Sequence, residues 1–170
     1  MDSLAFLERA GKCTLQPVYV LLGEDDFLKR QVRRLLRSLV LGKGEGEFSL
    51  SRFSGETAVW SEVNDELKTL PFLGCHRLVL VEEADLFVTN HRPALEKYVK
   101  APSSTGVLVL DVKSWPKNTR LARMIDIEAT IVCEAPKVGQ LPDWCIHWGA
   151  TQYGKKLAPS TERQIGRAHV

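Results

Sequence analysis

The chain has 170 residues, 44% of them hydrophobic, enough for one medium-sized domain with a real core and part of another. Its 23 basic and 21 acidic residues leave a formal charge of +2, which excludes a whole-chain polyanion signature and leaves any charged partner to be read from local faces. No apolar run approaches the roughly 18 to 20 residues of a membrane span, and the first nine residues lack the basic-then-apolar layout of a leader, so a cytoplasmic protein is expected. Cys13, Cys75, Cys133 and Cys145 are too dispersed for a zinc site or a disulfide framework and read as reduced packing residues.

The first predicted strand is the apolar run Val18 to Leu22. It passes through Gly23-Glu24-Asp25-Asp26 into a helix whose apolar stripe is Leu28, Val32, Leu35, Leu36 and Leu39, with Lys29, Arg30, Arg33, Arg34 and Arg37 off it; Gly42 stops it. A nucleotide-binding α/β protein carries its phosphate loop at such a junction. Here three carboxylates stand in the place of a phosphate, facing the N–H groups and positive dipole end of the helix. The segment from Gly23 to Arg30 also lacks the second glycine and the hydroxyl that a phosphate loop needs. The scaffold is that of a nucleotide-binding domain, and its chemistry is missing. The basic residues of the helix read as a solvated face; contact with DNA phosphates is the alternative, and aromatic interleaving is absent.

Gly42-Lys43-Gly44-Glu45-Gly46-Glu47 follows a helix and precedes a strand, the reverse of phosphate-loop order, so it is a connector. A second strand is expected over Phe48 to Phe53. The next helix lies between Thr57, a cap, and Pro71, a breaker, with Trp60, Val63, Leu67 and Leu70 on one side. Thr69-Leu70-Pro71-Phe72-Leu73-Gly74 then returns the chain to the sheet. Large apolar residues in such a connector either tuck inward or dock a partner, and the residues alone favour tucking inward.

The runs Leu78 to Val81 and Val107 to Leu110 are apolar on both faces, as central strands covered from two sides must be. The acids Glu82 and Glu83 after the former resemble the end of a Walker B strand, but without a phosphate loop the constellation is incomplete, and acids are common at the carboxyl edge of a parallel sheet. Pro93 is placed at the start of a third helix through Leu95 and Tyr98, and Pro116 to Asn118 precede a short one with Leu121, Met124 and Ile125. Thr130 to Cys133 forms the fifth strand. Alternation of five strands with helices predicts a mostly parallel sheet. After it, Pro142 opens a helix with Trp144, Cys145 and Trp148 and no further strand follows, which puts a domain boundary near residues 137 to 142. His76, His91 and His147 lie in unrelated contexts and no glycine-flanked serine occurs, so no hydrolytic triad can be assembled.

Together these segments resemble the delta subunit of bacterial DNA polymerase III, the clamp-opening member of the replicative clamp loader. The resemblance is carried, in order and spacing, by Pro17 through Leu28, Leu70-Pro71-Phe72-Leu73-Gly74, His76 through Asp85 and Gly106 through Asp111. It implies an AAA+-like first domain without ATPase motifs over residues 1–138, and the beginning of a helical lid domain over 139–164. The third, collar-forming domain of the family would then be missing, which puts assembly with the other clamp-loader subunits in doubt. Residues 165–170 match one reading frame of a widely used sequencing adapter and are expected to be a non-native tail.

The resemblance further implies a non-catalytic component of a DNA-directed DNA polymerase holoenzyme, without cofactor, metal or nucleotide of its own. Its partners would be the sliding clamp, the other clamp-loader subunits and, through the assembled complex, DNA. In the family an apolar pair in the connector before the third strand wedges into a pocket on the clamp. Those positions fall on Phe72 and Leu73, supported by Leu70, with leucine at one place where the family more commonly has an aromatic. Two readings of other classes stand beside it: a P-loop-like NTPase with a degenerate site, built on Lys29 and Glu82-Glu83, and a generic α/β scaffold docking some other protein through the same connector.

Overall fold

The computed structural model describes residues 1–9, 14–42, 48–71, 74–136, 139, 144–146, 148–150 and 154. The chain divides into two compact units, Met1–Glu134 and Ala135–Val170. The first alternates strand and helix: α1 (Ser3–Arg9), β1 (Val18–Leu22), α2 (Asp26–Leu41), β2 (Leu50–Ser54), α3 (Trp60–Lys68), β3 (Arg77–Glu82), α4 (Asp85–Lys100), β4 (Gly106–Val112), α5 (Arg120–Met124) and β5 (Thr130–Val132). The five strands form one sheet in the order β2-β3-β4-β1-β5, and every pairing is parallel.

That order dictates the layers. The β1-to-β2 connection runs across the sheet in one direction, while the other three crossovers run in the opposite one. Since parallel crossovers are right-handed, α2 must lie on one face and α3, α4 and α5 on the other. Packing agrees: α1 lies against α2, and α4 against both α3 and α5. The inner strands are sealed from both sides, with Val20, Leu21, Val79, Val81, Leu108 and Leu110 fully buried. Burial of a Val or Leu side chain is worth about 1.5–3 kcal/mol, so these strands anchor the unit. Gly106 shows how close the α3 layer comes, because a Cβ there would meet the Leu67 carbonyl oxygen at 2.2 Å.

Several local expectations shift. Phe48 is exposed in a turn, and β2 begins at Leu50. The N-cap of α3 is Val59, without a side-chain bond, in place of Thr57. Helix α4 starts eight residues before Pro93, at Asp85, whose carboxylate accepts the N–H groups of Lys113 and Ser114 and so ties the helix start to the end of β4. Pro93 sits just beyond a non-helical His91 (φ −115°, ψ 18°). It therefore occupies the opening turn of a second helical segment, where a missing N–H costs little.

In the second unit, residues 144–146 and 148–150 are helical, and Trp144 and Trp148, four apart and so on one face, stack with ring centroids 5.4 Å apart and planes 4° from parallel. Pro142 and His147, along with the terminal residues 165–170, lie outside the described residues.

Candidate functional site

At the carboxyl edge of the sheet, β1 turns into α2 through Gly23, Glu24 and Asp25. Gly23 has φ +133°, and a Cβ on it would lie 2.2 Å from the Cys133 carbonyl oxygen. The turn is thus pressed against the chain leaving β5, and Asp25 donates its N–H to that same carbonyl at 3.2 Å. Asp25 is the N-cap of α2: its Oδ1 accepts the Leu28 N–H at 2.7 Å. Glu24 and Asp26 are exposed. One carboxylate, not three, fills the helix end, because only the N-cap position directs a short acid back onto the free N–H groups.

The larger correction concerns Lys29. The sequence pattern places it on the solvated basic face, but it is 5% exposed. Its Nζ lies 2.5 Å from Asp111 Oδ1 and donates to the Val112 carbonyl at 3.2 Å, both at the end of β4. One turn on, Arg33 contacts Glu82 Oε1 at 2.8 Å and Asp111 Oδ2 at 3.5 Å. These groups line a polar cleft of about 460 Å³ with Arg30, Ser54, Glu83 and Lys113 where a nucleotide would sit in a working relative of this fold. Lys29 and Glu82, two residues of the degenerate-NTPase reading, are spent on these internal pairs. Glu83 is exposed, in the left-handed region at φ 51°. Asp111 is the residue that pattern reading missed as a lysine partner; the available signal was an acid ending an otherwise apolar run. Beneath the turn, burial pushes the Cys133 thiol up to about 12, only partly opposed by Lys29.

The opposite, amino edge carries the predicted apolar connector. Helix α3 ends at Lys68, and Thr69 caps it, its Oγ1 and N–H both bonding to the Asp65 carbonyl. Leu70 follows, 75% exposed. It is off the buried face that Val63 and Leu67 make, so the expected four-residue apolar side of this helix stops short. Phe72 and Leu73 lie outside the described residues. Gly74, at φ 84°, turns the chain back toward β3.

Both feet of this connector are tied together. Glu66 Oε1 on α3 accepts from Arg77 Nε, the first residue of β3, at 2.6 Å, and from Ser51 Oγ on β2 at 2.6 Å. Arg77 Nη2 makes a second, close contact to the same oxygen. Leu67 beside it is fully buried. The arrangement leaves Leu70 exposed on a short connector whose two ends are joined through Glu66. Among the described residues no helix is long and apolar enough to cross a membrane.

Comparison with known proteins points one way. The family profile described as "DNA polymerase III, delta subunit" matches residues 19–134. The DNA polymerase III subunit delta of Bacillus subtilis (strain 168) is 30% identical over 108 residues, covering 58% of this chain and 31% of that protein. Among solved structures, the Bacillus subtilis DNA clamp loader delta protein superposes with a TM-score of 0.79 at 21% identity, covering 95% of this chain and 51% of that one. A DNA polymerase III gamma subunit-related protein from Thermotoga maritima follows at a TM-score of 0.59 and 16% identity, covering 98% and 58%. At such identities the structural matches establish the fold alone, a five-stranded parallel sheet flanked by helices. The chain spans about a third of its curated relative and about half of the solved delta protein.

Proposed function

This chain belongs to the DNA polymerase III delta-subunit family, and from that premise we propose that it is a non-catalytic clamp-loader subunit that binds the sliding clamp and favours its open form. The wedge consists of Phe72 and Leu73, with Leu70 beside them. The observation that carries this reading is the solvent-exposed Leu70 on a connector held at both ends by Glu66. Two large apolar side chains entering a pocket contribute about 1.5–3 kcal/mol each, the size of an interface anchor. Opening is then an effect of differential affinity: the subunit binds the open ring better than the closed one, and no chemistry of its own is needed.

ATP hydrolysis falls to other subunits. In the delta reading the carboxyl edge is a structural joint, consistent with Lys29 being held by Asp111. Residues 139–164 are, in the same reading, the opening of a helical domain. The deciding experiment is titration of the full chain against the cognate clamp, alongside a Phe72→Ala/Leu73→Ala variant and a control titration with magnesium-ATP. A clamp complex weakened in the variant, without ATP binding, supports the proposal. Saturable ATP binding at physiological concentrations would instead favour the degenerate NTPase, and a clamp affinity indifferent to the variant would remove the wedge.

A further inference from the structure

A second surface lies on the other face of the sheet, away from the connector. Helix α2 links β1 to β2 across two intervening strands, so it packs over β3 and, among the described residues, leaves the outer strand β2 without a helix on that side. The result is a groove of about 250 Å³ between α2 and β2. By strand register, Leu50 lies beside Leu78 and Arg52 beside Leu80, and these leucines form its floor. The rims are cationic: Arg30, Arg34 and Arg37 line the α2 side and Arg52 the β2 side. Spacings of four and three residues put the three helical arginines on one flank.

Arg33, which also lines the groove, is neutralised by Glu82. Among the described residues the other four make no ion pair, and Glu82 is the single acid in the lining. Like charges gathered along one groove repel, and an anionic occupant relieves that repulsion. The floor decides what kind of anion. A nucleic-acid backbone brings phosphates joined by small, oxygen-rich sugars with no leucine-sized apolar group, and its bases bind by stacking on aromatic side chains, of which the lining has none. A peptide with acidic and aliphatic residues in alternation would use both parts, setting its aliphatic side chains down on the leucines and its carboxylates against guanidinium forks.

We propose that the groove between α2 and β2 is a docking site for an acidic, leucine-bearing segment of a partner protein. It is independent of the clamp-binding connector. The test is fluorescence anisotropy on the full chain with three probes of matched length: a peptide alternating glutamate with leucine, polyglutamate, and oligothymidylate. The alternating peptide binds, and polyglutamate and oligothymidylate bind at least about tenfold more weakly. Arg34→Glu/Arg37→Glu lowers peptide affinity at least about tenfold, and Leu50→Ser lowers it several-fold. Should the charge reversal disturb folding, as judged by circular dichroism, Arg30→Gln/Arg52→Gln carries the same expectation. Absence of peptide binding, an affinity unmoved by these variants, or tighter binding of oligothymidylate than of peptide would each overturn the proposal.

Discussion

The two ends of one sheet have been treated in opposite ways. At the carboxyl edge, charged side chains are turned inward: Lys29 on Asp111, Arg33 on Glu82, Asp25 on the N-terminus of the helix it precedes. At the amino edge, the polar bonds of Glu66 are used to hold a loop in place while Leu70 is left facing water. One edge is closed upon itself and the other is held open. A parallel α/β sheet ordinarily places its ligand at the carboxyl edge, so the connector proposed to bind the clamp lies at the edge that analogy of fold alone would leave unsearched.

The contrast can be broken most forcefully at Asp111. Asp111→Ala leaves the Lys29 ammonium buried without its partner, and thermal or urea unfolding should register a loss of about 3–5 kcal/mol. The double replacement Lys29→Met/Asp111→Leu should recover most of it, because an apolar pair removes the stranded charge. Neither change should confer ATP binding, which calorimetry would check. At the other edge, Phe72→Ala/Leu73→Ala should cost about 2–4 kcal/mol of clamp affinity. Leu70→Ser, at an already exposed position, should leave unfolding stability within about 0.5 kcal/mol of the parent.

Smaller effects sharpen the same division. Asp25→Ala removes the cap of α2 and should destabilise by about 1 kcal/mol in a denaturant titration, without changing clamp binding. The least of them is Cys133, whose folded-state thiol is raised to about 12. The unfolded thiol, near 8.5, loses its proton first, so the native state holds more protons between these values and stability falls as pH rises through that window. The stability difference between the parent and Cys133→Ala should be constant below about pH 8 and shift against the parent above pH 9. A pH series of melting curves would show it, and a difference unchanged up to pH 10 would mean that the thiol is not shielded.

Much of this was legible from residue order. Runs such as Val18 to Leu22 and Leu78 to Val81 are apolar at every position, and only a doubly covered parallel strand has a use for that pattern. The missing phosphate loop was readable because its absence is local: a glycine and a hydroxyl are not where the turn requires them. The Lys29–Asp111 pair was not readable, since its members are 82 positions apart and meet only because β1 and β4 are neighbours in register. Helical periodicity put Lys29 among the cations of α2, but the residue lies at the margin of the stripe where a long side chain can reach inward. The start of α4 was hidden for a similar reason. Its first turn is fastened by Asp85 to residues beyond β4, while the conspicuous local signal, Pro93, marks the restart after a kink. Leu70 was assigned correctly to the connector and wrongly to the apolar side of α3, because periodicity continues in a sequence after the helix itself has stopped.

The Lys29–Asp111 pair also bears on how such a protein can change over time. A route toward nucleotide binding would have to free the lysine, and the first substitution on that route strands a buried charge at a cost of about 3–5 kcal/mol. Native domains have only about 5–15 kcal/mol in hand. The intermediate on such a path would therefore give up a substantial share of that margin before any advantage arose. The bond works as an evolutionary ratchet: once in place, it makes any gain of nucleotide binding a two-step change whose first step selection opposes, while the exposed connector at the far edge carries no such constraint.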